Sequence, residues 1–312
     1  FMLSPVCVFL YVSILVVCPS RTSNALSLSA LLVPLLFSVF FFFFFLIIRR
    51  PPRSTLDRSS AASDVYKRQY LDRVQPDLDR QHILAECIAY LFVNTASLKI
   101  EKVPLLYGTG ANGKSVFFDI VNALLGGSTN VSYFTLQQLT DENGYYRAKL
   151  ANKLVNYASE INGKMDAAIF KALASGEPVS ARLPYGDPFS VTRYAKLMFN
   201  CNELPRDVEQ TDAFFRRFML VPFDVTIPEH ERDVKLSSKI IETELSGVFN
   251  WVLDGLTRLL QQEGFTECQA VNEALQQYRK RSDSVLGFIE DYNLKPSASE
   301  TKPLMDLSLI HI

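Results

Sequence analysis

Apolar residues recur with two different periods along this chain, and the points where one period gives way to the other mark its elements. Val103 to Tyr107 is a short unbroken apolar run, the pattern of a strand buried on both faces. Ser115 to Leu125 carries apolar residues at helical spacing and stops near Gly126-Gly127. Upstream, Asp77 to Phe92 reads as an amphipathic helix with Ile83, Leu84, Cys87, Ile88 and Leu91 on one face. Val131 to Leu150 holds two short helical patches around a turn at Asp141 to Gly144. Lys153 to Ile161 returns to a strand pattern, and Asp166 to Ala174 is a helix with Gly176 as its stop. Val179 to Tyr194 alternates and turns at Pro184-Tyr185-Gly186-Asp187-Pro188, the signature of a β-hairpin. Ala195 to Phe199 and Met219 to Phe223 are further strands. Helical patterns follow over Leu236–Glu244, Leu245–Gln262, Val271–Lys280 and Ser284–Tyr292. Strands alternating with helices predict an α/β fold, with a central and mostly parallel sheet flanked by helices and a helical C-terminal region.

The N-terminal part follows a different pattern. Ala25 to Ile48 is a charge-free run long enough to span a bilayer, with Arg49 and Arg50 as a positive flank. It contains the homopolymer Phe40 to Phe45 and leads into a stretch ending Asp64-Val65-Tyr66-Lys67-Arg68-Gln69. Those residues can be encoded by GAT GTG TAT AAG AGA CAG, whose reverse complement encodes Leu-Ser-Leu-Ile-His-Ile, the sequence from Leu307 to Ile312. Ile48 to Gln69 resembles an in-frame translation of a transposase-type library adaptor, and Leu307 to Ile312 looks like its opposite strand. We therefore set residues 1–69 and 307–312 aside from fold reasoning and expect the apparent membrane segment to be artefactual. The remainder is expected to be a piece of a longer, cytoplasmic protein.

Charge and cysteines narrow the chemistry. Lys and Arg number 32 against 33 Asp and Glu, a net charge of −1, which argues against a strongly basic nucleic-acid coat. Cys87, Cys201 and Cys268 lack metal-ligand spacing and are expected to be buried reduced thiols; His82 and His230 stand alone.

What remains is the junction between the first strand and its helix. Gly108-Thr109-Gly110-Ala111-Asn112-Gly113-Lys114-Ser115 satisfies the phosphate-loop pattern G-x-x-x-x-G-K-[ST], in the strand-to-helix setting that the pattern requires. Glycines let successive amides turn inward toward phosphate oxygens, and the N-terminus of the following helix adds attraction. Lys114 would reach the β- and γ-phosphates, and the Ser115 hydroxyl would be a ligand of Mg²⁺. Such a site needs a carboxylate at the end of a strand beside the loop, and Glu160 stands where the strand from Lys153 ends. Asn202, just past the next strand, could sense a γ-phosphate and place a water, or could simply cap a turn. Arg216 and Arg217 could reach a neighbour's nucleotide or form surface ion pairs. Arg182, Tyr185 and Arg193 decorate the hairpin.

In order along the chain these features run G-x-G-x-N-G-K-S, a strand ending in Glu160, K-x-x-x-S-G-E from Lys171 to Glu177, N-E-L-P from Asn202 to Pro205, and D-x-x-x-R-R-F from Asp212 to Phe218. The set resembles the superfamily 3 helicase domain, and more closely the C-terminal half of phage and plasmid primase-helicases. The resemblance implies an AAA+-like ATPase using ATP and Mg²⁺, which forms a hexameric ring and moves 3′ to 5′ along single-stranded DNA. It further implies a primase domain on an N-terminal part of the longer protein. Carried over by position, Lys114 and Ser115 are the Walker A pair, Glu160 the Walker B acid and Asn202 the sensor. Arg217 is the first choice for the arginine finger and Arg216 the second, while Arg182, with Tyr185 beside it, holds DNA. Many relatives have two acids at the strand end, whereas Ser159 precedes Glu160 here, so metal and base roles both stay open for Glu160. On this basis residues 70–100 form a helical lead-in, 101–225 the ATPase core and 226–306 the helical C-terminal region. The alternatives are a P-loop motor for another substrate, such as DNA packaging, and a membrane-tethered ATP-binding scaffold should residues 1–48 be native.

Overall fold

A computed structural model describes residues 65–282 apart from Ala96, Glu160, 162–164 and 206–207. Helix α1 (Val65–Val74) and helix α2 (Leu78–Leu91) precede strand β1 (Val103–Tyr107), and helix α3 (Lys114–Leu124) follows the glycine-rich turn. Next come β2 (Val131–Ser132), α4 (Leu136–Leu139), α5 (Tyr145–Ala148), β3 (Val155–Ala158) and α6 (Ala167–Ser175). The hairpin β4 (Val179–Ala181) and β5 (Phe189–Val191) leads to β6 (Lys196–Cys201), α7 (Asp212–Phe215) and β7 (Phe218–Pro222). Helices α8 (Leu236–Thr243), α9 (Leu245–Gln262) and α10 (Gln269–Ser282) complete the described chain. The expected helix at Ser284–Tyr292 lies outside the described residues, as does the apolar run 25–48. No helix among the described residues is long and apolar enough to cross a membrane.

The sheet has five strands in the order β2-β3-β6-β1-β7, all parallel, and the hairpin forms a sheet of its own. This is the α/β class that the apolar pattern predicts. Its strands are largely apolar because each sheet face is covered. Leu106, Val155, Tyr157, Met198, Met219 and Val221 point into one core with α1, α2, α3, α8 and α9, whereas Val103, Leu105, Leu197, Phe199, Phe218 and Leu220 point into the other, with α4, α6, α7 and α10. Alternation along each strand thus distributes its side chains between two cores.

One expectation on strand order is corrected. Glu160 follows β3, and β3 does not lie beside β1: β6 is hydrogen-bonded to both and separates them. After β3 the chain leaves through α6 and the hairpin, and β6 then enters the gap. The two helical patches of 131–150 are α4 and α5, but the same stretch opens with the edge strand β2.

Helix α1 begins at Val65, inside the stretch read as translated adaptor. The Glu244 carboxylate, 2% exposed, accepts from the Tyr66 and Lys67 backbone amides at 2.9 and 2.7 Å. Main-chain amides make these bonds, so they place no demand on side-chain identity at either position. Further along, Tyr70, Leu71 and Val74 enter the core.

Candidate active site

In a parallel sheet the C-terminal ends of all strands share one edge, where loops collect side chains from several strands. The phosphate-loop pattern lies on that edge, after β1. Its backbone needs glycine: Gly110 and Gly113 have φ of 107° and 85°, and even Ala111 sits at 51°. A Cβ at Gly108 would come within 2.5 Å of the Phe223 carbonyl oxygen, and one at Gly113 within 2.7 Å of Val74 Cγ1. The loop is also held from outside. Ile227 N donates to Ala111 O at 2.8 Å, Gly108 N to Cys201 O at 3.2 Å and Tyr70 Oη to Gly113 O at 2.9 Å.

Lys114 opens α3 and is buried within this turn. Its ammonium donates to Gly108 O at 2.7 Å and to Asn112 Oδ1 at 3.0 Å, while Asn112 Nδ2 donates to Phe223 O at 3.1 Å. The lysine is therefore held by its own loop, and Asn112 ties that loop to the end of β7. Burial pulls the Lys114 ammonium below the usual lysine range, and the neighbouring Cys201 opposes the shift. Burial pushes the Cys201 thiol up to about 12. Cys87, Cys201 and Cys268 are all free and buried, as expected of structural thiols.

Ser115 is exposed in the first turn of α3, beside the loop amides. Asn202 is exposed immediately after Cys201, whose register partner is Tyr107, so β6 delivers it to the mouth of the loop. Glu160 lies outside the described residues; β3 directs the chain to the same edge, ending at Ala158. Among the described residues no group of three or more His, Cys, Asp and Glu could hold a metal. Mg²⁺ in phosphate sites needs only one or two protein ligands, so Ser115 with a strand-end acid is a fitting donor set.

The two arginines occupy the opposite edge. Arg217 O accepts from Val103 N at 2.7 Å where β7 and β1 begin. Across the length of β1, roughly 17 Å, this is too far to serve the loop of the same subunit. The pair divides in a way the spacing does not reveal. Arg217, the first choice for the finger, is 8% exposed, and it donates to Ser175 Oγ from Nη2 at 2.9 Å and to Ala213 O from Nη1 at 2.5 Å. It also lies 3.4 Å from the Glu101 carboxylate. Arg216 has its side chain 64% exposed and only a loose 3.9 Å approach to Glu101. Arg217 is thus committed within the subunit, and Arg216 is the guanidinium free to reach outward. Hydrogen bonding from Lys99, followed by the charges of Lys99 and Arg217, holds the Glu101 carboxyl below its ordinary range.

The hairpin projects Tyr185, fully exposed with φ of 62°, and Arg182, whose Nε donates to Gly186 O at 2.9 Å. Its base is anchored by Arg147, a residue the sequence did not single out. The buried guanidinium donates from Nε to Ser180 O at 2.7 Å and from Nη1 to Leu139 O at 3.0 Å and Asp141 O at 2.5 Å. A single arginine in a short helical patch carries no sequence signal. Asn200, bonded through Oδ1 to Tyr157 Oη at 2.8 Å, lies within the mainly apolar strand β6 and was not singled out either.

Residues 106–217 match a protein family of unknown function, DUF5906. The span runs from the end of β1 to the two arginines, and so contains every candidate residue placed above. The chain is also similar to the helicase-named protein L207/L206 of Acanthamoeba polyphaga mimivirus, with 23% identity over 246 residues. That match takes in 72% of this chain and 25% of the relative, so the chain spans about a quarter of that protein's length. Two solved structures of the NrS-1 C-terminal region superpose with a TM-score of 0.52 at 15% identity. They cover 71% and 73% of this chain, and 52% and 53% of their own chains. The α/β fold with its central parallel sheet is therefore shared with the NrS-1 region.

Proposed function

We propose that the chain is the motor part of an ATP-dependent replicative DNA helicase of superfamily 3, corresponding to the C-terminal half of a phage- or plasmid-type primase-helicase. In this reading subunits assemble into a homo-oligomeric ring, a hexamer, that moves 3′ to 5′ on single-stranded DNA in the cytoplasm. A primase domain belongs to an N-terminal part of the longer protein. The observation that carries the proposal is the turn from Gly108 to Ser115, whose left-handed backbone and buried Lys114 occupy the strand-to-helix junction of a parallel sheet. The helicase name of the mimivirus relative supports the choice of substrate.

Gly108, Thr109, Gly110, Ala111, Asn112 and Gly113 would cradle the ATP phosphates with their amides, and Lys114 would lie against the β- and γ-phosphates. To do so, Lys114 exchanges Gly108 O and Asn112 Oδ1 for phosphate oxygens, a change within reach of its own side-chain torsions. Ser115 and Glu160 would hold Mg²⁺, which when bound offsets charge on the phosphate oxygens. Asn202 orients the attacking water beside the γ-phosphate. Arg216 of an adjoining subunit supplies positive charge to the same phosphate, with Arg217 behind it as support. Arg182 and Tyr185 grip a DNA strand through a phosphate and a base face.

The test is steady-state ATP hydrolysis together with unwinding of a forked duplex. Lys114→Ala is expected to lower hydrolysis by about a hundredfold or more, the scale of losing a charge aimed at the transition state. Arg182→Ala is expected to keep most hydrolysis and lose unwinding. Hydrolysis that survives Lys114→Ala would remove the site, and hydrolysis without unwinding by the unaltered chain would point to a motor for another substrate.

A further inference from the structure

The buried arginine, not the exposed one, links the edge that carries Arg216 to the end of α6, from which the hairpin leaves. Ser175 is the last residue of α6, 2% exposed, and directly precedes Gly176, whose φ of 69° ends the helix and releases the chain into the hairpin. Its hydroxyl accepts from Arg217 Nη2 at 2.9 Å and from Nε at 3.3 Å. Glu101, just before β1, lies 3.4 Å from Arg217 and 3.9 Å from Arg216. Three segments distant in sequence therefore close on one guanidinium: the approach to β1, the end of α6 and the α7 turn through Ala213 O. Apolar packing joins the same parts. Phe170 of α6 stacks on Phe218 of β7 at 4.7 Å and 16°, and meets Phe214 of α7 at 5.3 Å. Such contacts leave α6 and the arginine turn little freedom to move separately.

We propose that Arg217, Ser175 and Glu101 form a coupling node through which engagement of Arg216 by a neighbouring subunit's nucleotide is transmitted to the DNA-gripping hairpin. Arg217 is a positioning residue here: it touches neither nucleotide nor DNA and sets where Arg216 and Gly176 stand. A displacement of Arg216 toward an external phosphate draws on Glu101 and on the backbone shared with Arg217. Ser175 passes that displacement to Gly176 and the hairpin base. Arg147, holding Ser180 O from the other side, makes the hairpin pivot there instead of sliding. Because linkage is reciprocal, DNA on the hairpin must bias the arginine turn by the same free energy.

The inference rests on the function proposed above, and its test uses the full chain with Ser175→Ala, Ser175→Thr and Arg217→Lys. Hydrolysis is measured with and without oligo-dT. Ser175→Ala is expected to keep the unstimulated rate within about threefold while DNA stimulation falls about tenfold, the scale of one lost hydrogen bond to a charged group. Ser175→Thr, which restores a hydroxyl, is expected to recover the stimulation, and Arg217→Lys, lacking the planar fork, is expected to lose the same stimulation together with part of the unstimulated rate, since Arg217 also supports Arg216. Full stimulation in Ser175→Ala would overturn the node and leave the helicase reading standing. Absence of hydrolysis in the unaltered chain would overturn the helicase reading, and hydrogen exchange then judges the node. Ser175→Ala must speed exchange of amides on both sides, over residues 177–182 and 212–217. A response confined to one side refutes the coupling.

Discussion

Asn112 offers the sharpest quantitative check on how the loop is held. Its side chain is 3% exposed and spans two partners, accepting from the Lys114 ammonium at 3.0 Å and donating to Phe223 O at 3.1 Å. Asn112→Ala removes one hydrogen bond to a charged group, worth about 1.5–3 kcal/mol, and one neutral bond worth about 1 kcal/mol, for a sum of about 3 kcal/mol. In a domain of this size that lowers Tm by roughly 6–12 °C in nucleotide-free protein. The nucleotide response should move the other way. A lysine no longer held by Asn112 gives up less on reaching phosphate, so the rise in Tm on adding ATP should be at least that of the unaltered chain. Combining Asn112→Ala with Lys114→Met isolates the pair: without the ammonium, Asn112→Ala should cost only about 1 kcal/mol, a coupling of about 2 kcal/mol. Urea unfolding of the four proteins measures the cycle. A coupling below about 0.5 kcal/mol would refute the idea that Asn112 holds Lys114 in its withdrawn position.

Two further predictions concern buried charges away from the loop. Lys196 donates to Tyr90 O and Val93 O at the end of α2, lies 3.4 Å over the Tyr90 ring, and is brought down by burial to about 7. An unfolded lysine keeps its proton to about pH 10.4, so between about 7 and 10.4 the unfolded chain binds more protons and stability rises with pH; below 7 both states are charged and the slope vanishes. Lys196→Met should flatten this rise by about 2 kcal/mol between pH 7 and 9 in parallel urea titrations, and identical slopes would show that the lysine titrates normally. Glu86, fully buried in α2, accepts from Arg258 Nε at 3.2 Å, Thr266 N at 2.8 Å and Thr266 Oγ1 at 2.6 Å. Glu86→Ala strands these donors and should destabilise by about 3–5 kcal/mol with an unchanged m-value, whereas a loss under about 1 kcal/mol would mean that the α2–α9 contact is wet.

The sequence was most informative where one residue's chemistry is local. The glycine-rich turn between β1 and α3 could be placed because the spacing of its glycines, Lys114 and Ser115 falls within a single turn, and the strand and helix on either side have unmistakable periods. Hairpin and strand ends were legible for the same reason. Strand order was not, since β3 and β6 are both apolar runs and nothing in either indicates which one abuts β1. Edge strand β2 is two residues long and too short to show a period. Long-range polar contacts left no trace either: Arg147 reaches Ser180, Glu244 reaches Tyr66, and Asn200 meets Tyr157.

The adjacent arginines show most clearly why residue type alone underdetermines a role. Arg216 and Arg217 are chemically identical and neighbours in sequence, and position by resemblance favoured Arg217. The two lie in the turn between α7 and β7, where Arg216 still has helical backbone angles, and this turn buries Arg217 behind Phe218 while leaving Arg216 exposed. The aromatic packing of Phe170, Phe214 and Phe218 fixes this turn. A guanidinium that has turned inward needs acceptors, and Ser175, Ala213 and Glu101 supply them. The same packing that buries Arg217 therefore leaves Arg216 outward, on the sheet edge away from its own phosphate loop. An outward arginine there stands on the edge opposite the turn from Gly108 to Ser115, so under the proposed function its catalytic use requires another subunit; held monomeric, the unaltered chain should hydrolyse ATP no faster than the Arg216→Ala variant. Dilution-dependent ATPase of Arg216→Ala beside the unaltered chain decides it, and a defect that persists undiminished in the monomer would rule out action in trans.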